Sequence, residues 1–325
     1  MQTRRLRRVE WPTVALGMGI WSLWLLLTWF HASLPPWLLV AGGGWTVAWH
    51  ASLLHELIHG HPTRWPLVNR ALGLPSMLLH LPFERYRASH LSHHRDHHLT
   101  DPLEDPETQY WTGPAWRGLG PVGRVLGRGM TLLAGRLVIG PLWAIGRFVW
   151  FDAHRLWRNV PGVRTAWAAH VPFVALTVGW LVLVCHMSLL TYFACFMLPG
   201  VALMLVRSFA EHRFADAHGH RTAIVERAPV MGMLFLFNNL HAAHHERPGL
   251  AWYRLPAWYA QERERLLFNN GGLVYRGYLD VARRFLLRPH HEPVHPHHAI
   301  VTPRPAAVVQ PPSPLPVYGA DEGFA

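Results

Sequence analysis

Lysine is absent from this 325-residue chain, so all 30 of its basic residues are arginine. Acidic residues are few, 19, which leaves a net charge of +11. Charged residues make up only 15% of the chain against 50% hydrophobic, and the apolar residues fall in long uncharged blocks. That distribution excludes an ordinary soluble enzyme. Cysteine occurs twice, at Cys185 and Cys195, both inside apolar stretches. This excludes a disulfide framework and a paired-cysteine metal knuckle. A basic balance points to nucleic acid or to an anionic membrane surface. No nucleic-acid motif interleaves the arginines, which flank apolar runs instead, so a membrane is expected and a nucleic-acid partner is not.

The apolar blocks predict about four transmembrane helices. Thr13 to Phe30 is an uncharged run long enough to cross a bilayer, preceded by Arg4, Arg5, Arg7 and Arg8. The positive-inside rule places the residues 1–12 before it in the cytoplasm. The run is long for a signal peptide and no small-residue cleavage site follows, so it is expected to be retained. Trp37 to Leu54 returns the chain to the cytoplasm. Two broken apolar pieces, Leu67 to Leu81 and Leu137 to Phe151, are expected at the membrane interface. Trp167 to Met187 and Ser188 to Val206 form a second hairpin. The spans are thus near 13–30, 37–54, 167–187 and 188–206, within an all-α membrane domain over 13–288. Beyond about Pro289 the chain is rich in proline and histidine, and 289–325 is expected to be a disordered tail.

Histidine is abundant, and it is clustered. His55-Glu56-Leu57-Ile58-His59 opens the pattern, His90-Leu91-Ser92-His93-His94 follows and runs on to His97-His98, and His241-Ala242-Ala243-His244-His245 closes it. Residues three and four apart share one face of a helix, so each cluster projects imidazoles in one direction. Neutral imidazole is the commonest protein ligand for transition metals. One such pair arises by chance; three clusters in one chain imply metal. With four spans, all three clusters fall on the cytoplasmic side, as one shared site requires. His31, His50, His61, His80 and His154 are isolated or unmatched and are left out of the site. So are His290, His291, His295, His297 and His298, because a disordered tail cannot preorganise a centre.

These motifs resemble the three histidine boxes of membrane fatty acid desaturases and their hydroxylase relatives. The resemblance covers roughly Trp37 to Leu255 and extends to Tyr86-Arg-Ala-Ser-His90, Leu99-Thr-Asp-Pro-Leu-Glu-Asp-Pro106, Asn238-Asn-Leu-His241 and Arg207-Ser-Phe-Ala-Glu-His212-Arg213, as in bacterial members. It implies a non-haem di-iron site at the cytoplasmic face, with O2 as co-substrate and a lipid acyl chain as substrate. The implied location is a bacterial inner membrane with both termini cytoplasmic. The implied ligands are His55, His59, His90, His93, His94, His241, His244 and His245, and His212 is the ninth by equivalence with the family. The first box lacks the glycine-rich lead-in and basic follow-on of the acyl-CoA subgroup. No haem domain like cytochrome b5 occurs in the chain, so a separate donor of ferredoxin, rubredoxin or cytochrome b5 type is expected. Metal-bound histidines usually donate their other N–H to an acceptor. Asp96, Asp101, Asp105, Glu211 and Glu246 are candidates for that role, together with Asn238.

Three questions stay open at this level. The second cluster contains two triplets of the same spacing, His90-x2-His93-His94 and His94-x2-His97-His98. No glycine or proline stops the helix before Pro102, so all five imidazoles could line one stripe; the resemblance selects the first triplet. Desaturation and hydroxylation of an acyl chain or alkane share the same ligands, and the flanking motifs favour desaturation. Finally, His55-Glu56-x2-His59 is also the zinc protease signature, with Glu56 as general base. That reading needs an Asp in a distant span, which the later spans lack, and leaves two clusters unexplained. A metal transporter would spread its ligands across the membrane instead of gathering them on one side.

Overall fold

A computed structural model describes residues 9–299 of the protein. The arginine run at 4–8 and residues 300–325 lie outside the described residues. The described chain is mainly helical, with one short parallel pair, β1 (Ile224–Val225) and β2 (Val274–Tyr275). Its principal helices are α1 (Trp11–Trp29), α2 (Pro36–Ile58), α3 (Phe83–His93), α4 (Gly140–Trp157), α5 (Val163–Val184), α6 (Leu189–Glu211), α7 (His241–Glu246) and α8 (Leu255–Asn269). Proline sits in the first turn of α1, α2 and α8, where its missing N–H has no intrahelical partner to lose. Pro172 lies inside α5, and both α5 and α6 contain a π-helical stretch, Trp180–Val184 and Phe193–Met197.

Among the described residues, three helices are long and apolar enough to cross a membrane: α1, α5 and α6. They correspond to three of the four expected spans. The fourth expected span falls within α2. At 23 residues α2 has the length, but Gly42, Gly43 and Gly44 together with His50, Ser52, His55 and Glu56 dilute its apolar character. It is the most enclosed of the long helices, buried from Gly43 to Ile58 with few breaks. Around it, the others turn apolar side chains outward: Leu176 on α5 is 69% exposed and Leu183 75%. In water such a surface is unfavourable; a bilayer is its natural solvent.

Glycine lets α2 and α6 approach closely. A Cβ on Gly200 would lie 2.6 Å from the Val47 Cβ, and one on Gly43 would lie 2.6 Å from the Cys195 carbonyl oxygen. Small residues at such crossings bring backbones together where lipid supplies no hydrophobic drive. The core beside them holds Ile20, Trp24, Val47, Leu181, Tyr192 and Phe196. Tyr192 satisfies its hydroxyl there, accepting from Trp24 Nε1 at 3.2 Å and donating to the Met77 carbonyl at 2.9 Å.

Two elements depart from the sequence expectations. α3 ends at His93 with His94 as its cap, and a separate 3₁₀ turn carries Asp96–His98. The five imidazoles therefore do not share one stripe: His98 turns to Glu104, in the acid-rich loop that follows. The segment 289–299, expected to begin a disordered tail, is packed on the cap instead. Trp111 N–H donates to the Pro293 carbonyl at 2.8 Å, and His295 N–H donates to the Trp111 carbonyl at 3.0 Å. His290 and His295 are buried. Backbone pairing and buried rings fix this stretch, which composition alone does not reveal.

Candidate metal centre

Four segments bring imidazoles into two adjoining groups. The last turn of α2 carries His55, and His59 caps it. α3 presents His90 and His93 three apart, with His94 at its end. Arg85, one turn earlier on α3, makes a buried two-pronged bond to Asp152 of α4, its Nε 3.0 Å from Oδ2 and its Nη2 3.0 Å from Oδ1. That bond fixes how α3 sits. His212 follows α6 in extended conformation and pairs with Thr222. α7 supplies His241, His244 and His245. It is preceded by two consecutive left-handed residues, Leu236 (φ 50) and Phe237 (φ 59). For bulky side chains this conformation stores strain, and here it makes the tight turn that delivers Asn238 and then His241.

The nine predicted histidines come together in two groups. His55, His59, His90, His94 and His244 form one; His93, His212, His241 and His245 form the other, with the potential ligand atoms of each group within 4.8 Å of one another. Within the first group the Nε2–Nε2 separations are 3.0 Å for His59–His90, 3.0 Å for His90–His94 and 3.1 Å for His94–His244. In the second they are 2.9 Å for His212–His241 and 3.2 Å for His241–His245, while His93 lies 3.0 Å from His212.

The opposite ring nitrogens explain why the Nε2 lone pairs face inward. His93 Nδ1 lies 2.9 Å from Asp105 Oδ1, and His90 Nδ1 lies 3.3 Å from Glu107 Oε1. His241 Nδ1 lies 3.0 Å from Asn238 Oδ1 and 3.4 Å from Glu211 Oε1. His212 Nδ1 lies 3.3 Å from the Arg221 carbonyl. An acceptor at Nδ1 favours the tautomer that carries its proton there, which in a neutral ring turns the Nε2 lone pair towards the group's centre. Lone pairs converging at 3 Å repel one another unless a cation lies between them. The spacing also suits a shared ion. With metal–nitrogen bonds of roughly 2.1 Å, ligands at right angles stand roughly 3.0 Å apart and tetrahedral ligands roughly 3.4 Å. The observed values are short enough for each set of rings to share one cation, which neutral imidazoles of this kind would hold.

Electrostatics agree with this donor set. Burial, reinforced by the neighbouring imidazoles, holds His59, His90, His94, His241, His244 and His245 well below the ordinary histidine pKa. His212 is lowered too, by burial and then by His93. These are neutral rings, as metal ligation requires. His93 is the exception: burial pulls it down, but Glu107 and Asp105 outweigh burial and raise it to about 9.

The other sequence candidates divide cleanly. Asp105, Glu211 and Asn238 touch the ligand rings. Asp101 instead accepts from His298 at 2.9 Å, and Glu246 is paired with Arg265 at 2.7 Å. The side chain of Asp96 lies outside what is described. His97 and His98 belong to neither group. Glu107 was missed; its only signal is its place in the acid-rich loop, two residues beyond Asp105. Glu56, the general base of the protease reading, accepts the backbone N–H of Trp252 at 3.1 Å. His50 and His61 stay outside the groups, His61 beside Glu10 at 2.9 Å.

The fatty acid desaturase family model matches residues 28–278, which contain all nine histidines of the two groups. No curated protein matches the chain.

Proposed function

The chain belongs to the fatty acid desaturase family, and from that membership we propose that it introduces a double bond into a lipid acyl chain, using O2 and electrons from a separate carrier protein. The observation that carries the reading is the gathering of the nine histidines into sets of five and four with their Nε2 atoms converging. We assign His55, His59, His90, His94 and His244 to one iron, and His93, His212, His241 and His245 to the other. When bound, the two irons supply the activation of O2 that removal of hydrogen from an unactivated CH2 demands.

The protein's own contribution is orientation and exclusion of water. Asp105 and Glu107 fix the rings of His93 and His90 by accepting from Nδ1. Asn238 and Glu211 do the same for His241. Beneath the first box, Leu54, Leu57, Ile58 and Phe83 form an apolar floor that keeps water from that side. In this proposal α2 completes a set of four spans with α1, α5 and α6. The arginine-rich N-terminus, the cap and all three boxes then lie in the cytoplasm, in a bacterial inner membrane.

Mass spectrometry of lipids from an expressing host tests the reaction, with the His90→Ala chain as control. Acyl chains lighter by two hydrogens, only with the intact boxes, are the expected result. Chains heavier by one oxygen would instead make the protein a hydroxylase of the same family. Unchanged lipids, from protein shown to hold both metals and to be supplied with a competent reductase system, would overturn both.

A further inference from the structure

The segment 289–299 does more than cover the cap. After the second box runs the loop 99–111, which carries Asp105 and Glu107. This loop is laced by bonds of its own, among them Thr108 Oγ1 to the Thr100 carbonyl at 2.8 Å and Glu107 N–H to Asp105 Oδ1 at 2.9 Å, and Arg221 Nη1 donates to the Leu99 carbonyl at 2.9 Å. Thr100 stands in left-handed conformation at φ 71, a strained state for a β-branched residue that persists only where its surroundings enforce it. Its N–H donates to Asp105 Oδ2 at 2.9 Å, and Asp105 Oδ1 meets His93 Nδ1 at 2.9 Å. Whatever holds Thr100 therefore also aims His93.

The hold on its side chain comes from the far end of the chain. His295 Nε2 lies 3.4 Å from Thr100 Oγ1, a long contact, but it does not act alone. The backbone of His295 is bonded to Trp111 at the other end of the loop. Its ring packs on Tyr110, at 5.3 Å between centroids, and on Phe214, at 4.6 Å. Tyr110 in turn accepts the N–H of Phe214 at 2.9 Å, two residues beyond His212. His298 holds Asp101 at 2.9 Å. One strap thus grips both ends of the carboxylate loop and the segment leaving His212.

We propose that residues 289–299 are a positioning strap for the four-histidine metal, with His295 as its central residue, acting through Thr100 and Asp105 on His93 and through Phe214 on the segment of His212. This rests on the metal assignment above. Nothing in the strap touches a ligand ring directly, so His295 is a positioning residue and not a ligand.

The test is the rate at which metal leaves the purified full-length protein when a chelator is added, followed as two phases. Wild type should hold two metals and release both slowly. His295→Ala should keep two metals at rest but lose one of them about tenfold faster, the size of effect expected of outer partners of a metal ligand, while the second phase stays unchanged. His295→Gln, whose side-chain amide can reach Thr100, should restore part of the difference. His154→Ala, remote from the loop, should behave as wild type. Thr100→Val removes only the hydroxyl contact and keeps the same branched shape, so it gives a reading even if His295→Ala does not fold; it should accelerate the same single phase by a smaller factor. Equal release rates in wild type, His295→Ala and Thr100→Val would overturn the strap and leave the metal assignment standing. A wild-type protein that binds fewer than two metals would overturn the assignment and the strap with it.

Discussion

His93 concentrates the residue-scale physics of this site. A buried imidazole prefers to be neutral, yet two carboxylates raise its pKa to about 9. The same carboxylate contact that favours a proton on the free ring also pins that ring's Nδ1, so a cation arriving at Nε2 displaces one proton and finds the ligand already turned. His97 and His98, only a few residues on, have no such partner inside the cluster. We therefore expect His90→Ala, His93→Ala and His94→Ala each to lower bound iron and abolish lipid product, while His97→Ala and His98→Ala retain both. Metal analysis of the five purified variants decides it: a dead His97→Ala with an active His90→Ala would move the second box by one turn. Asp105→Ala should keep the fold but weaken metal binding by about 10–100-fold, measured by competition with a chelator.

Elements matter here because the clustered histidines arrive on separate helices. α2 and α6 deliver the first box and His212, and their distance is set by glycine. Gly200→Val would drive a branched side chain into Val47, where even a Cβ comes within 2.6 Å. Overpacking of this kind costs about 1–3 kcal/mol, and here it also separates two ligand-bearing helices. A lower unfolding midpoint in detergent together with reduced metal content is expected; full metal content would show that the site tolerates the shift. α3 depends on Asp152, fully buried, which receives Arg85, Trp167 and Arg155. Asp152→Ala leaves the buried Arg85 unpaired, a loss of about 3–5 kcal/mol. Denaturant titration of the variant measures it, and a change below about 1 kcal/mol would mean that water reaches Arg85.

At the scale of the whole molecule, acid should destabilise the fold that gathers the histidines. His59, His90, His94, His212, His241, His244 and His245 have pKa values below the ordinary 6.5 in the folded protein. Above that pH these rings are neutral whether folded or not, and they add nothing to a pH slope. Below it the unfolded chain binds more protons than the folded one, so stability falls as pH falls. His93 runs the other way, its raised pKa favouring the folded apoprotein in acid until pH climbs through about 9, but it is outnumbered. The stability of the apoprotein to denaturant should therefore fall as pH is lowered through about 6.5; a flat profile below that pH would contradict the neutral-ligand account. Topology is tested separately. Reporter fusions after Arg155 and Leu255 should both report the cytoplasm, and a fusion after Pro35 the opposite side. An outward signal at Leu255 would part the third box from the first.

Local spacing was enough to single out the histidines that gather in the two groups. Imidazoles three and four apart must share a helix face, whatever the fold, so His55, His59, His90, His93, His94, His241, His244 and His245 are visible in the sequence, and the resemblance adds His212. Apolar run length likewise marks α1, α5 and α6, because the thickness of a bilayer is a fixed ruler. What spacing cannot say is which ligand joins which group, since that depends on how α2, α3, α6 and α7 cross. It cannot separate Asp105, which meets His93, from Asp101, which meets His298, because both lie in one loop at similar distances along the chain. Nor can it see that residues 289–299 return to the loop at 99–111, a pairing between segments nearly two hundred residues apart. Side-chain direction within one helix follows from backbone geometry alone; contacts between distant segments exist only once the chain has packed, and there the tertiary structure decided.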